Sequence, residues 1–400
     1  MIAWVESRIG DEIELAYGKA LPAHAREEGP FSVFGSNGCV GHHSAPLVSG
    51  PGIVVGRKGS VGSIAYSEQD FWPIDTTYYV VNKNAHDWRF LYHLLSTIGL
   101  DALNSHSTIP GLNRENAYSI RVRLPDKHEQ RSIALALDTV EDALRKEVLA
   151  IEQTMALKKA AMQTLFTRGL RGEAQKETEI GPVPENWKVS TLGEIAQLER
   201  GRFMHRPRNE PRFYGGETPF VQTGDVVRSG GRIREFIQTL NEDGVVISRV
   251  FPAGTILITI AANIGFTGIL QFDCACPDSL VAITPNQSLK VEFLEYFLQT
   301  QQGEMDKLAP KGTQKNINIQ FLAPWPVVVP SDEDEQCEIV AILAAIDRKI
   351  DLHLSKRAVL EELFKALLHK LMTGEIRVAD LDLSALTGSE ENMDTNEVNA

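Results

Sequence analysis

The chain has 400 residues, of which 43% are hydrophobic and 23% are charged, and its formal net charge at pH 7 is −13. This length and composition indicate a soluble globular protein with two or three domains, each large enough for a hydrophobic core. The negative net charge excludes a protein that coats nucleic acid indiscriminately.

The sequence gives no sign of export or of a membrane span. Residues 1–8 lack a basic region followed by an apolar run, and no apolar run approaches the roughly 20 residues that a membrane span needs. The four cysteines form no CxxC pair and no Cys/His spacing suited to zinc, so we expect plain thiols in a reducing compartment. These features predict a cytoplasmic protein without a metal site.

Residues 1–125 are predicted to form a strand-rich globular unit. Short runs of β-branched and aromatic residues alternate with glycine, which is typical of strands joined by tight turns. The predicted strands are Gly52–Gly56, Ser63–Tyr66 and Thr77–Val81, and a helix is predicted at Trp88–Ile98.

Residues 126–171 are predicted to form one long helix. Its apolar residues recur at spacings of three and four, which places them in a single stripe of the width that a partner helix covers. Asp126 is the predicted cap, with Glu129 three positions on, and Gly169 lies where the pattern ends. The predicted interface residues are Ile133, Leu137, Val140, Leu144 and Ile151, and the stripe also includes Val148 and Met155.

The same order recurs after a predicted linker at 172–187. A second strand-rich unit is predicted at 188–330, a second long helix at 331–377 with Ser331 as its cap and Gly374 at its end, and an acidic, disordered tail at 378–400. The strands predicted in this unit are Val245–Ile247, Thr255–Ile260 and Ser279–Thr284, and its shorter helix is Val291–Gln301. On the second long helix the predicted interface residues are Ile339, Leu343, Ile346 and Ile350, with Leu354 continuing the stripe.

The two halves align as diverged copies of one sequence. The long helices align without a gap at a shift of 206 (335 − 129), and ten of the 43 aligned pairs are identical. The opening segments align at a shift of 183 (187 − 4), and the shift reaches 203 (278 − 75) at Asp75 and Asp278, so the second copy has 20 extra residues (203 − 183) in between. We interpret the chain as an α+β protein in which two strand-rich mixed domains are joined by two long antiparallel coiled-coil helices, with a pseudo-twofold internal repeat.

This organisation resembles the DNA-specificity subunit of type I restriction–modification systems over nearly the whole chain. One specific point is the run Ile-Gly-Pro-Val-Pro-Glu-Asn-Trp at 180–187, followed by Leu-Gly-Glu-Ile at 192–195. Others are the paired helix openings Pro125…Glu129-Gln130 and Pro330…Glu335-Gln336. The runs Gly56–Gly62 and Trp72–Thr77 also resemble the target-recognition domains of that family.

The resemblance implies a non-catalytic subunit in which each domain reads one half of a bipartite double-stranded DNA target. The paired helices would set the spacer between the halves and dock a pair of methyltransferase subunits, and restriction or translocase subunits would complete the complex. The chain itself would bind no cofactor, because S-adenosylmethionine, ATP and Mg²⁺ would be held by the partner subunits.

Motifs that would indicate catalysis are missing from the sequence. Methyltransferases that modify exocyclic amines resemble one another in an Asn/Asp-Pro-Pro-Tyr/Phe loop, whereas this chain has no Pro-Pro dipeptide and no FxGxG. The Gly-x4-Gly-Lys-Ser/Thr phosphate loop is missing too, and His128-Glu129 is not followed by the second histidine of HExxH. We interpret Asp75 and Asp278 as carboxylates that each hold a turn, and we expect no catalytic residues.

Basic and amide-rich loops are the candidates for DNA contact. Guanidinium groups bind phosphates and the O6/N7 edge of guanine, and lysine, amide and hydroxyl groups contact both the backbone and the bases. The alternative for each residue is a solvated loop or a turn, the usual role of Gly-Ser-Asn-Gly. The predicted DNA-binding residues are Ser36, Asn37, Arg57, Lys58, Asn113, Arg114, Arg200, Arg202, Arg206, Arg208, Arg212, Lys311, Thr313, Gln314, Lys315 and Asn316.

A coiled-coil scaffold whose strand-rich units bind proteins rather than DNA is the alternative from another functional class. The segment Arg200–Arg212 weighs against it, because this segment contains five arginines and one acid, a local charge of +4 (5 − 1).

Overall fold

The computed structural model describes residues 4–103, 111–310 and 315–387. The chain folds into two compact units. Unit 1 comprises Met1–Leu149 together with His353–Ala400, and unit 2 is the continuous segment Ala150–Leu352.

Two long helices, α4 and α10, account for most of the helical residues that the structure describes. They have 42 and 41 residues, so at a rise of 1.5 Å per residue each is about 60 Å long. In chain order the helices are α1 (Ile9–Glu12), α2 (Trp88–Thr97), α3 (Arg114–Tyr118), α4 (Lys127–Arg168), α5 (Leu192–Ile195), α6 (Thr223–Arg228), α7 (Glu242–Val246), α8 (Val291–Leu308), α9 (Ile319–Leu322), α10 (Glu333–Thr373) and α11 (Ser384–Thr387).

Unit 1 contains β-sheets of two, four and three strands within the described residues. Their orders are β1-β9, β2-β8-β5-β6 and β4-β3-β7, and all neighbours are antiparallel except β3 and β7. The strands are β1 (Val5–Arg8), β2 (Ile13–Tyr17), β3 (Phe31–Gly35), β4 (Gly38–His43), β5 (Gly52–Gly56), β6 (Ile64–Ser67), β7 (Phe71–Pro73), β8 (Thr77–Asn82) and β9 (Arg121–Leu124).

Unit 2 repeats this arrangement, with additions. Its matching sheets have the orders β12-β22, β13-β21-β18-β19-β15 and β16-β14-β20-β17, and a hairpin β10-β11 precedes them. The strands are β10 (Gln175–Thr178), β11 (Gly181–Pro184), β12 (Lys188–Thr191), β13 (Ala196–Arg200), β14 (Tyr214–Phe220), β15 (Arg232–Ile233), β16 (Gln238–Leu240), β17 (Val250–Phe251), β18 (Ile256–Thr259), β19 (Thr267–Leu270), β20 (Cys274–Ala275), β21 (Leu280–Pro285) and β22 (Pro326–Val329).

The predicted repeat is confirmed by the order of the strands in the main sheets. The strand order β2-β8-β5-β6 in unit 1 corresponds to β13-β21-β18-β19 in unit 2, and β15 is an extra edge strand that pairs with β19 in parallel. The extra residues of the second copy lie between β14 and β18, where they form α6 and β15. The larger second copy is therefore the same fold with the edge strands β15 and β17 and the hairpin β10-β11 added.

The long helices are antiparallel, because each unit contains opposite ends of the two. In unit 1, Leu137 and Val140 of α4 share a buried cluster with Leu367 and Leu371 of α10. Unit 2 has the converse arrangement, since Met162, Leu165 and Phe166 of α4 share a buried cluster with Ile339 and Leu343 of α10.

Ion pairs join the helices in both units. The carboxylate of Glu147 lies 2.7 Å from His353 Nδ1 and 2.6 Å from Lys356 Nζ in unit 1, and Lys158 Nζ lies 2.7 Å from Asp347 Oδ1 in unit 2.

The predicted interface stripe is buried in part. Ile133, Leu137, Val140, Ile151, Ile339 and Leu343 are buried, and Leu144, Ile346 and Ile350 are half-buried. By contrast Val148, Met155 and Leu354 are 40%, 56% and 41% exposed, so the stripe is narrower than the periodicity indicated.

The ends of the long helices agree with the sequence except at one cap. The Asp126 carboxylate accepts hydrogen bonds from the amides of His128 and Glu129, both at 2.9 Å. Gly169 and Gly374 have φ values of 63° and 72°, the left-handed conformation that suits a glycine at a helix end.

The predicted cap Ser331 is wrong. Asp332 accepts the amide of Asp334 at 3.0 Å instead, and the Ser331 hydroxyl donates to the carbonyl of Asn186.

Three other segments differ from their predicted structure. The tail at 378–400 is predicted to be disordered, but Ser384–Thr387 form α11, and Leu381, Leu383 and Leu386 pack against the buried cluster of unit 1. The rest of this tail, 388–400, lies outside the described residues.

Val245–Ile247 was predicted as a strand from its β-branched residues, but Val245 and Val246 end α7, because Asn241 caps that helix by accepting the amide of Gly244 at 3.0 Å. The predicted linker 172–187 contains the hairpin β10-β11 and ends at Trp187, which is 1% exposed in the core of unit 2.

Among the helices in the described parts of the chain, none is both long and apolar enough to cross a membrane. The cysteines Cys39 and Cys337 are exposed thiols, and Cys274 and Cys276 are buried thiols.

Candidate nucleic-acid interface

In unit 1, the loop that follows β5 brings three parts of the chain together. The loop closes on itself because the amide of Gly62 donates to the carbonyl of Gly56 at 2.8 Å. The amide of Arg57 donates to the carbonyl of Thr76 at 3.0 Å, and the carbonyl of Arg57 accepts the amide of Leu112 at 3.0 Å. The predicted candidates near residues 57, 75 and 113 are therefore neighbours in the fold.

Unit 2 repeats this hydrogen-bond pattern at matching positions. The amide of Gly265 donates to the carbonyl of Thr259 at 2.9 Å, and the amide of Ile260 donates to the carbonyl of Ser279 at 3.1 Å. The carbonyl of Ile260 accepts the amide of Ile317 at 2.9 Å. The backbone of this loop is thus the same in both copies, whereas its side chains differ.

The candidates Arg57 and Arg114 surround an aromatic pair in unit 1. Their guanidinium carbons lie 4.8 and 4.6 Å from the ring centroid of Tyr17, and the rings of Tyr17 and Tyr78 are 5.1 Å apart. Burial raises the pKa of Tyr78, and the neighbouring Tyr17 adds to the effect. We call these four residues the Tyr17 cluster.

Sequence reasoning missed both tyrosines of this cluster. The strand pairing places Tyr17 directly opposite Tyr78, and the aromatic residues at the end of one strand and the start of another were the signal that could have found them.

The other candidates of unit 1 have weaker support as contacts. Asn37 is exposed in the turn between β3 and β4, and Lys58 is exposed in the loop after β5. Ser36 is half-buried, and its carbonyl accepts a hydrogen bond from the Ser63 hydroxyl. The side chain of Asn113 caps α3 by accepting the amide of Glu115 at 2.9 Å.

In unit 2, the arginine cluster is organised around Asp278. One carboxylate oxygen of Asp278 lies 2.8 Å from Arg206 Nη2, and the other is paired with Arg208. Arg200 Nε donates to the backbone carbonyl of Asp278 at 2.7 Å. The prediction that Asp278 holds a turn missed this role, in which the carboxylate fixes two exposed guanidinium groups and offsets part of their charge.

The remaining arginines of the cluster contact other groups. Arg202 Nε and Nη2 donate to the carbonyl of Ser248 at 3.1 and 2.6 Å. The guanidinium carbon of Arg212 lies 4.6 Å from the ring centroid of Phe213. Both arginines are exposed.

The lysine- and amide-rich candidate loop of unit 2 is described only in part. Lys315 pairs with Asp306 at 2.9 Å, and the exposed Asn316 forms an isolated bridge with Ala261. The candidates Lys311, Thr313 and Gln314 lie outside the described residues.

A cluster in unit 1 places potential metal ligands close together. Single ligand atoms of His93, Asp138 and Glu141 lie within 4.8 Å of one another. However, Arg89 donates to Asp138 at 2.9 Å and to Glu141 at 2.5 Å. Burial opposes ionisation of Asp138, but hydrogen bonds from His93 and Arg89 outweigh it and lower the pKa of this carboxyl. The carboxylates are thus already paired with a cation of the chain.

The buried thiols of unit 2 are poor nucleophiles. Burial raises the pKa of Cys274 to about 12 and raises that of Cys276 well above the usual value. Since the thiolate is the reactive form, these cysteines are part of the core.

A protein-family model and several known proteins match most of the chain. A family model described as the type I restriction modification DNA specificity domain matches residues 1–153 and 184–362. A putative type I restriction enzyme MjaX specificity subunit from Methanocaldococcus jannaschii is 26% identical over 309 residues, which are 74% of this chain and 70% of that protein. The type I restriction enzyme EcoDI specificity subunit from Escherichia coli is 23% identical over 416 residues, 94% and 89% of the two chains.

Solved structures share the fold. The crystal structure of a type I restriction–modification S subunit from M. genitalium superposes with a TM-score of 0.64 and 18% identity, over 93% of this chain and 96% of that chain. A chain from a structural study of complex assembly and conformational transition of the type I system has a TM-score of 0.58 and 20% identity, over 94% and 98%. Because the family model matches both units, the chain belongs to the family of type I restriction–modification DNA specificity subunits.

Proposed function

We propose that unit 1 and unit 2 each read one half of a bipartite double-stranded DNA target. We further propose that α4 and α10 set the spacer between the halves and dock the methyltransferase subunits. The observation that carries the proposal is the repeated loop, whose backbone hydrogen bonds are the same in both units while its side chains differ. One scaffold with two sets of side chains suits two different half-sites.

The charge at these loops supports contact with DNA in an otherwise acidic chain. Arg57 and Arg114 lie in the Tyr17 cluster of unit 1, and Arg206 and Arg208 lie at the matching aspartate of unit 2. Arginine presents a planar fork of donors that fits phosphate and the guanine edge.

The long helices offer surface for a partner subunit. Apolar side chains that are more than half exposed occur along both helices. Exposed apolar groups of this kind mark interaction surfaces when they are contiguous. They are Leu135, Leu149, Met155 and Leu157 of α4 and Leu352 and Val359 of α10.

As a specificity subunit, the chain is non-catalytic and belongs to a restriction–modification complex. In the proposed assembly a pair of methyltransferase subunits binds S-adenosylmethionine, and restriction or translocase subunits bind ATP and Mg²⁺. The chemistry of modification and cleavage then lies outside this chain.

The test is a double charge reversal, Arg206→Glu with Arg208→Glu, in the complex with the methyltransferase subunits. We expect protection of target DNA to fall at least about tenfold, because two guanidinium donors are lost and two carboxylates face the duplex. Co-purification with the methyltransferase subunits should be unchanged. Arg121→Glu is the matched control, since Arg121 is 69% exposed in a surface pair with Glu6.

Unchanged DNA protection by the double variant would favour the alternative, a coiled-coil scaffold whose strand-rich units bind proteins. In the charge-reversal variant, Asp278 also repels the two introduced glutamates. The neutral double variant Arg206→Gln with Arg208→Gln loses the guanidinium contacts without this repulsion, and it should also weaken DNA protection.

A further inference from the structure

Tyr17 is an exposed aromatic residue that lies beside two cations at the edge of the main sheet of unit 1. It is the last residue of β2, and its exposed fraction is 50%. The guanidinium groups of Arg57 and Arg114 both lie within cation–π distance of its ring.

Both arginines are also tied to the backbone. Arg57 Nη1 donates to the carbonyl of Asp75 at 3.1 Å, and Arg114 Nη1 donates to the carbonyl of Leu15 at 3.2 Å. Within residues 4–103, 111–310 and 315–387, no carboxylate forms an ion pair with either of them. Each guanidinium has five N–H donors, so the anchored pair keeps donors and positive charge for a partner.

Unit 2 holds a guanidinium at the same place with a different residue. Arg200 occupies the position of Tyr17 at a shift of 183 (200 − 17), and its Nε donates to the carbonyl of Asp278, the counterpart of Asp75. The positions of Arg57 and Arg114 are taken by Ile260 and Ile319. The anchored guanidinium is therefore common to both units, whereas the aromatic ring and the second arginine occur in unit 1 alone.

We propose that Tyr17 is a positioning residue for base recognition, and that its ring holds Arg57 and Arg114 where they read a guanine in the half-site of unit 1. Bidentate donation to O6 and N7 requires a fixed guanidinium plane, which the ring and the backbone carbonyls supply. A phosphate contact needs charge but no such fixed plane. The inference rests on the proposed function and adds the base class and the residues that read it.

The experiment is methylation mapping of genomic DNA from cells that carry the full complex with wild-type, Tyr17→Leu or Tyr17→Phe chain. Tyr17→Phe keeps the ring, so we expect the wild-type target. Tyr17→Leu removes the ring, so we expect methylation of the wild-type target to slow by about 5- to 150-fold. One guanine position in one half-site should become degenerate, and the other half-site should stay the same.

Arg114→Lys is the second variant, in case Tyr17→Leu does not fold. It keeps the charge but loses the planar fork, and it should relax the same position. Equal denaturation midpoints for wild type and Tyr17→Leu would show that unit 1 is intact.

An unaltered guanine preference in Tyr17→Leu would overturn the inference. So would a uniform loss of methylation with every base preference kept, which indicates a phosphate contact. If the wild-type complex methylates no specific site, the proposed function itself fails, and that result is distinct from both.

Discussion

At the scale of single residues, Glu295 of unit 2 is a buried carboxyl group whose hydrogen bonding is incomplete. Its Oε1 accepts hydrogen bonds from Thr267 at 3.1 Å and Gln299 at 2.6 Å, and its Oε2 lies 3.7 Å from Arg232 Nη1. Within the described residues, Oε2 has no hydrogen-bond partner. Burial raises the pKa of this carboxyl to about 7, although Gln299 and Arg232 oppose the shift.

This pKa predicts a pH-dependent stability that Glu295→Gln removes. Between pH 4.5 and about 7 the unfolded chain loses the Glu295 proton while the folded chain keeps it, so the wild-type free energy of unfolding falls as the pH rises and levels off above about 7. Relative to Glu295→Gln, the fall should be on the order of 3 kcal/mol across this window. Denaturant unfolding at pH 4.5, 6, 7 and 8 measures it.

Glu304→Gln is the control for this prediction, because Glu304 lies on the same helix with its side chain 50% exposed. It should leave the pH profile of the wild type unchanged. Parallel profiles for wild type and Glu295→Gln would contradict the assignment of a raised pKa to Glu295.

Residue-scale prediction from sequence found cations more easily than their partners. Arg57, Arg114, Arg206 and Arg208 were predicted as candidates because charge in a loop is visible in the sequence. Asp278 lies 70 residues from Arg208, so their pairing depends on the tertiary fold. For the same reason, nothing local showed that Tyr17 would lie close to two guanidinium groups.

At the scale of elements, Gln130 and Gln336 attach the long helices to shorter ones. The side-chain oxygen of Gln130 accepts the amide of Asp87, the cap of α2, at 3.1 Å. The oxygen of Gln336 accepts the amide of Lys290, the residue before α8, at 3.1 Å. Both glutamines are almost fully buried, at 1% and 2% exposed. The glutamine of each Glu-Gln opening is thus explained by a repeated contact between helices.

Replacing either glutamine by alanine should destabilise its unit. Gln130→Ala leaves the amide of Asp87 and the carbonyl of Pro125 without this partner in a buried site, at a cost of about 1–3 kcal/mol. Gln336→Ala should have a similar effect in unit 2. Denaturant unfolding measures the free energy, and hydrogen exchange at the start of α2 locates the change.

Gln163→Ala is the matched control, because Gln163 is exposed on α4. Its free energy of unfolding should stay within about 0.5 kcal/mol of the wild type. A Gln130→Ala variant as stable as this control would refute the role assigned to the buried amide.

The bounds of helices and strands were predictable where the sequence pattern was long or was clearly bounded by residues such as glycine. β5 has the predicted bounds Gly52–Gly56, and α2 ends one residue before its predicted end. Residues 245–247 were assigned the wrong type, since a β-branched run of three residues does not outweigh the Asn241 cap. The hairpin β10-β11 was missed because a charged segment between two proline- and glycine-rich turns also fits an open linker.

At the scale of the whole molecule, the repeat was predictable and the division into units was not. Matching residues such as Asp75 and Asp278 revealed two copies. The order of the chain, however, indicated that each long helix belongs with the strand-rich domain that precedes it. In the structure unit 1 takes His353–Ala400 from the end of the chain, and unit 2 takes the end of α4. Which helix end packs in which unit depends on antiparallel pairing, and the periodicity of a single helix does not specify it.

This division gives the sharpest test of the proposal that the helices set the spacer. Four residues inserted after Leu149 in α4 and four after Leu352 in α10 fall at the boundary of the units and leave the interior of each unchanged. Each helix lengthens by about 6 Å, and DNA rises about 3.4 Å per base pair. The spacer should therefore lengthen by one or two base pairs, with both half-sites unchanged, and methylation mapping reads both quantities.

A four-residue insertion after Gly172 is the control for length, because this exposed glycine follows the end of α4. The insertion there lengthens the chain without lengthening either helix. It should keep the wild-type spacer. Altered half-sites with an unchanged spacer in the double insertion would contradict the proposal, because recognition would then depend on the helices and spacing would not. A longer spacer in the double insertion, with the wild-type spacer kept in the Gly172 insertion, would assign spacing to α4 and α10. Base reading would then be assigned to the units that these helices join.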